Sequence, residues 1–150
     1  QDRIVGASAG KDLLHALRAM GHGDMLVVVD TNFPAAAIAQ ETVVGVPLTM
    51  ENLTAAEAVG AILSLLPLDT FVPDFAGRME VVGDPAAIPA VQAEVQAEID
   101  RAEGRPRPMP AIERFAFYDM ARQSYAVIQT GERRFYGCFM FRKGVIPPES

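Results

Sequence analysis

Five consecutive apolar residues, Met25-Leu26-Val27-Val28-Val29, limit the possible folds of this chain more than any other feature. A strand with one face in water alternates apolar and polar side chains. A run without alternation is buried on both faces, which requires a sheet covered on each side by helices. Groups that move or bind protons stand at both ends: His22, between Gly21 and Gly23, precedes the run, and Asp30 closes it. Side chains mounted at the ends of a stiff element hold fixed positions, which suits a site for a small polar substrate. Two plainer readings stand beside this one. Gly21 follows the spacing Leu13, Leu14, Leu17, Met20 and can act as a helix C-cap, with His22 placed there by the helix dipole. Asp30 can be a turn residue before Asn32 and Pro34, bonding its own backbone.

The same apolar spacing predicts a helix over 11–20 with His15 facing water. Thr42 to Val46, rich in β-branched residues, predicts a short strand. Thr54-Ala55-Ala56-Glu57 matches a capping box ahead of Val59, Ile62, Leu63 and Leu66, and Pro67 ends that helix because it lacks the next N–H donor. Leu68 to Asp74 reads as an irregular connection. Met79 to Val82 predicts a strand, and Asp84-Pro85 opens a helix whose buried positions are Ile88, Val91, Val95 and Ile99. Gln92, Glu94, Gln96 and Glu98 then form its solvated face. The proline-punctuated stretch 105–110 is too short to divide the chain. A helix over 115–124, a strand over 125–129, a turn at Thr130-Gly131-Glu132 and a strand from Arg134 to Arg142 predict a terminal hairpin. Together these elements predict one α/β domain over 1–150, three-layered, with a mixed β-sheet flanked by helices.

A net charge of -6 without a basic stripe argues against nucleic acid and anionic membrane surfaces as partners. No apolar run approaches the ~20 residues of a membrane span, and the first residues carry no secretory pattern. The single cysteine, Cys138, has no internal partner for a disulfide, which fits a reducing compartment such as the cytoplasm. There is no Gly-rich phosphate loop, no strand-turn-helix serine nucleophile and no paired Cys or His set. His22, Asp24 and Asp30 supply at most part of an open metal site, so neither a metal nor another cofactor is expected. What remains is an acid/base inventory of His22, Asp30, Asp69, Arg114, Tyr118 and Tyr136, a set able to orient hydroxyl groups and move protons on a polyol or sugar. Each has a structural alternative: the tyrosines can be core residues with satisfied hydroxyls, and Arg114 can pair with Glu113 or Asp119.

Six segments in order, Gly-His-Gly-Asp at 21–24, Asp-Thr-Asn-Phe-Pro at 30–34, Arg-Phe-Ala-Phe-Tyr at 114–118, Thr-Gly-Glu at 130–132, Tyr-Gly at 136–137 and Arg-Lys-Gly-Val at 142–145, resemble the fucose mutarotase branch of the D-ribose pyranase / L-fucose mutarotase family. The resemblance spans nearly the whole chain. It implies cofactor-independent interconversion of the α and β anomers of a reducing sugar, L-fucose or a relative. It also implies a homo-oligomer, commonly a ring-shaped decamer, with sites between adjacent subunits. By the same resemblance His22 is the proton donor; Asp30, Arg114 and Tyr136 contact the sugar; and Asp69, Met79 and Tyr118 line or assist the site. Two proton transfers suffice, one by His22 and the other by Tyr118 or Tyr136, with Asp30 and Arg114 orienting hydroxyls. Cys138 stands where family members typically carry asparagine, and a thiol is a weak partner for sugar hydroxyls. A lost contact of this kind costs about 1–3 kcal/mol. That leaves two rival activities: a ribose-type exchange between pyranose and furanose, and sugar binding without catalysis.

Overall fold

The computed structural model describes residues 7–68, 72 and 74–144; Asp69 lies outside the described residues. The apolar run forms β1 (Met25–Val29), with Leu26 to Val29 fully buried. It sits inside a six-stranded sheet of order β2-β5-β1-β6-β3-β4. β1 pairs in parallel with β5 (Ala126–Thr130) and antiparallel with β6 (Phe139–Arg142). β2 (Leu48–Met50) joins β5 in parallel at one edge. β3 (Ala76–Met79) lies antiparallel to β6 and carries β4 (Ala111–Ile112) in parallel at the other edge.

Successive β1 side chains enter different cores, as the pleat requires. Leu26 and Val28 pack in a cluster with Leu13 and Leu17 of α1 (Ala7–Ala19), Val59 and Ile62 of α3 (Ala55–Leu63), and Val95 and Ile99 of α4 (Ala90–Glu103). Val27 and Val29 pack with Ile38 of α2 (Ala35–Ala39) and with Phe117 and Ala121 of α5 (Arg114–Arg122). Helices therefore cover both faces of a mixed sheet. This is the expected three-layer α/β arrangement, and it explains why β1 has no polar position.

Several local expectations shift. The capping box forms at Thr54 and Glu57, but α3 stops at Leu63, before Pro67. No strand forms over 42–46: the Thr42 hydroxyl bonds Ala39 O and accepts from Gly45 N, so the chain turns there with Gly45 at φ 84°, and the strand begins at Leu48. β3 lies over 76–79 instead of 79–82, because Asp84 N returns to Val81 O in a turn. Asp84-Pro85 does not open a helix. Pro89 steers the residue before it away from helical backbone, and α4 starts at Ala90. Gln92 is fully buried rather than part of a solvated face, while Leu14 is exposed and Ile88, expected among the buried positions, precedes α4 and is exposed.

The terminal hairpin is absent. β1 lies between β5 and β6, so Thr130-Gly131-Glu132 begins a longer connection, residues 131–138, and the last strand starts at Phe139. Both ladder edges of β5 are already filled, by β1 and β2, which leaves β6 only the far side of β1. The connection must therefore cross the C-terminal end of β1, where Asp30 stands. This crossing decides where the site lies.

Candidate functional site

A cavity of about 410 Å³ opens at that end of the sheet, within the size range of small-molecule sites. Asp30, Met79, Arg114, Tyr118, Tyr136 and Cys138 all line it. Four elements far apart in sequence supply these six residues: the end of β1, the end of β3, α5 and the 131–138 crossing.

Asp30 is 3% exposed, and its carboxylate is held by its surroundings. Oδ1 accepts from Asn32 N (3.0 Å) and Oδ2 from Gly137 N (3.1 Å), with the Cys138 thiol beside the same carboxylate. Burial pushes the Asp30 pKa up, and those donors oppose it. The same burial, with the Asp30 charge beside it, pushes the Cys138 thiol well above its ordinary value. Cys138 is thus a protonated, inward-facing wall residue. The turn-residue reading of Asp30 holds for Oδ1, but Oδ2 reaches across 107 residues to fasten the crossing segment.

Arg114 and Tyr118 sit one turn apart on α5, so their side chains meet: Arg114 Nε donates to Tyr118 Oη at 3.4 Å, and the guanidinium lies 5.8 Å from the Tyr118 ring centroid. The phenol keeps the Arg114 pKa raised. The alternative partners are otherwise engaged: Glu113 caps the N-terminus of α5 and Asp119 pairs with Arg122. Phe33 packs edge-on against the Tyr118 ring at 5.4 Å and fixes its plane. A cation and a phenol on one helix face present donors to hydroxyls and to a developing oxyanion.

Tyr136 is the one non-glycine residue with positive φ among the described residues, at 66°. Left-handed backbone costs a tyrosine about 1–2 kcal/mol, so the surrounding structure has to hold it there. Its Oη accepts from Val82 N at 3.3 Å and its carbonyl accepts from Gln92 Nε2 at 3.1 Å. Cys138 and Gly137 follow directly, and a Cβ at Gly137 would meet Glu132 Cγ at 3.0 Å, so the strand enters tightly. Glu132 anchors the start of the crossing. Buried, it accepts from Ala55 N at the start of α3 (3.1 Å) and from Arg134 Nε (2.8 Å), and Arg134 reaches Glu94 on α4 with two further bonds. Arg134 holds the Glu132 carboxylate below the usual range.

His22 is elsewhere in the protomer. It lies before β1, in a groove with Leu14, Leu17, Arg18, Leu65, Pro67, Lys143 and Gly144. The length of β1, about 16 Å at ~3.3 Å per residue, separates it from Asp30. The helix-cap reading of its neighbour changes too. Among the described residues of this turn it is Gly23, at φ 89°, that takes left-handed backbone, and Gly21 N instead donates to Asp24 Oδ2 at 2.7 Å. Asn32, Phe33, Val82 and Phe135 also line the cavity and were not among the expected site residues. Phe33 was visible inside the Asp-Thr-Asn-Phe-Pro segment, but Val82 and Phe135 carried no signal beyond their position beside Tyr136 or a strand end.

A model of the RbsD / FucU transport protein family matches residues 8–146. The chain belongs to this family. Human fucose mutarotase is 39% identical over 145 residues, spanning 95% of this chain and 92% of the relative. The crystal structure of protein Atu2016 superposes with a TM-score of 0.91 at 56% identity, covering 98% of this chain and 97% of that one. The fucose mutarotase of Streptococcus pneumoniae, solved in complex with L-fucose, superposes at 0.82 with 29% identity over 97% and 96%. In this member of the family the cavity is built at the end of the central strand. Among the described residues no helix is long and apolar enough to cross a membrane.

Proposed function

We propose that this protein interconverts the α and β anomers of L-fucose or a closely related reducing sugar by acid/base ring opening and closing. The observation that carries the reading is the convergence of Arg114, Tyr118 and Tyr136 on one cavity over Asp30, in a chain whose relatives are named fucose mutarotase. A base takes the proton from the anomeric hydroxyl while an acid protonates the ring oxygen. The C1–O5 bond breaks, the open aldehyde turns about C1–C2, and the reverse transfers close the ring. No electrons are gained or lost, and no covalent intermediate or cofactor is needed. Tyr136 or Tyr118 performs one transfer, Arg114 and Asp30 orient the hydroxyls, and Asp69 assists. Met79 and Cys138 form wall contacts.

His22 performs the other transfer, and we assign it to a neighbouring copy of the chain. Its distance from Asp30 within the protomer supports this, as do Phe135 and Val82, which line the cavity, and Phe115, which packs on Tyr118, all three leaving apolar side chains exposed. A homo-oligomer with sites between copies follows from this reading, and the ring-shaped decamer is the form that the family resemblance implies. The buried free thiol supports a reducing compartment, the cytoplasm.

Saturation-transfer NMR on L-fucose, other hexoses and D-ribose tests the activity. Fucose anomers should exchange faster than in buffer. Sugar binding without acceleration would refute catalysis, and exchange confined to D-ribose pyranose and furanose would refute the substrate. Mixing His22→Ala with Tyr136→Phe protein, each much slower than wild type alone, should restore part of the rate, because some sites then receive both intact side chains. No recovery after subunit exchange would place His22 outside a shared site.

A further inference from the structure

Among the described residues Gln92 is the most completely buried polar side chain, with 0% exposure on the inner face of α4. Its carboxamide makes three bonds. Nε2 donates to Met79 O at 2.7 Å and to Tyr136 O at 3.1 Å, and Oε1 accepts from Arg78 Nη1 at 3.1 Å. Arg78 can only donate, so it fixes which end of the amide is oxygen and aims the NH₂ group at the two carbonyls. Met79 and Tyr136 both line the cavity. The Arg78 guanidinium also donates to Ala87 O (3.2 Å) and Pro85 O (3.3 Å), tying down the turn that follows Val82. Val82 N in turn donates to Tyr136 Oη. Gln92 thus sits at the centre of a closed ring of contacts that holds Tyr136 at both its carbonyl and its hydroxyl.

A carbonyl in left-handed backbone points where no regular ladder partner reaches it, and in half-buried Tyr136 the Gln92 amide supplies the donor instead. From this geometry we propose that Gln92 is a positioning residue for catalysis, setting the Tyr136 phenol by bracing the strained backbone that carries it. The proposal rests on the mutarotase reading above. Neither leucine, methionine nor glutamate can donate two hydrogen bonds to two carbonyls, so the role is specific to the primary amide.

Gln92→Met preserves length and volume and removes both donors. With L-fucose in the NMR exchange assay it should lower kcat about tenfold while KM stays within about twofold, since orientation acts on the transition state more than on binding. Gln92→Glu, which keeps the Arg78 contact but cannot donate, should give the same loss and serves if the methionine variant folds poorly. The decisive measurement is coupling. In a Tyr136→Phe background with residual activity, Gln92→Met should cost less than about threefold, because the group it positions is already gone. Losses that multiply, or a variant that melts lower but keeps its kcat, would overturn the proposal and leave Gln92 a packing residue. An active wild type with an unaffected Gln92 variant overturns this role alone. A wild type that accelerates no sugar overturns the mutarotase reading and this role together.

Discussion

Replacing Glu132 by glutamine tests how the site-bearing segment is held. The carboxylate is 3% exposed and accepts from Ala55 N, from Arg134 N (3.2 Å) and from the Arg134 guanidinium through Nε and Nη2 (2.8 and 3.1 Å). Glutamine keeps one oxygen for these donors and turns an NH₂ group toward the rest. A hydrogen bond to a charged group contributes ~1.5–3 kcal/mol against ~0.5–1.5 for a neutral one, so each bond that loses its charge gives up about 1 kcal/mol. The bond at the start of α3 counts fully. The Arg134 bonds count for less, because that side chain is 44% exposed and solvent screens it. The expected loss is about 1–2 kcal/mol at pH 7, or about 2–8 °C in Tm for a domain of this size. Since Arg134, assisted by the backbone donors, lowers the Glu132 pKa below its ordinary 4.5, the stabilisation is complete above pH 4.5 and is lost as pH falls through the folded value. The gap between wild type and Glu132→Gln should therefore close on acidification. Guanidinium midpoints from pH 3 to 7, at one fixed protein concentration, measure it. A gap missing at pH 7, or one unchanged at pH 3, would refute the argument that the charge of Glu132 anchors the crossing.

Gly131→Ala should destabilise by about 1–3 kcal/mol or more, since a Cβ there overlaps the Glu51 carbonyl oxygen and approaches Leu53 O at 3.3 Å, both rigid backbone; a thermal melt within 1 °C of wild type contradicts this. Cys138 should react with a disulfide reagent at pH 8 at least ~100-fold more slowly in the native protein than in denaturant, because burial and Asp30 keep it a thiol; rapid stoichiometric labelling of folded protein contradicts this. Asp30→Asn should change the pH profile in the sense opposite to Glu132→Gln. The Asp30 pKa is raised above 3.8 by burial, so its contribution is fully present below pH 3.8 and is lost as pH rises through the folded value, and the variant should lack that decline in chemical denaturation.

The run Met25 to Val29 determined, without any coordinates, that a strand would be covered on both faces, and with it the three-layer architecture. Thr54 with Glu57, and Val91, Val95 and Ile99, were equally legible, because capping and helical periodicity act over a few residues. The six ordered segments pointed to the sugar-isomerising family; of the site residues that resemblance implied or put in question, Asp30, Met79, Arg114, Tyr118, Tyr136 and Cys138 line one cavity, His22 lies toward the other end of β1, and Asp69 is outside the described residues. Only the tertiary structure decided the pairing of the last strand. The apolar content of 125–129 and 134–142 is the same whether the strands pair with each other or on either side of β1, and competition for ladder edges chooses between those arrangements. That choice sends residues 131–138 across Asp30 and makes Gln92 and Glu132 buried anchors, although their local sequence reads as a solvated helix face and a turn. Their partners include Tyr136, 44 residues from Gln92, and Ala55, 77 residues from Glu132, and no local pattern encodes such contacts.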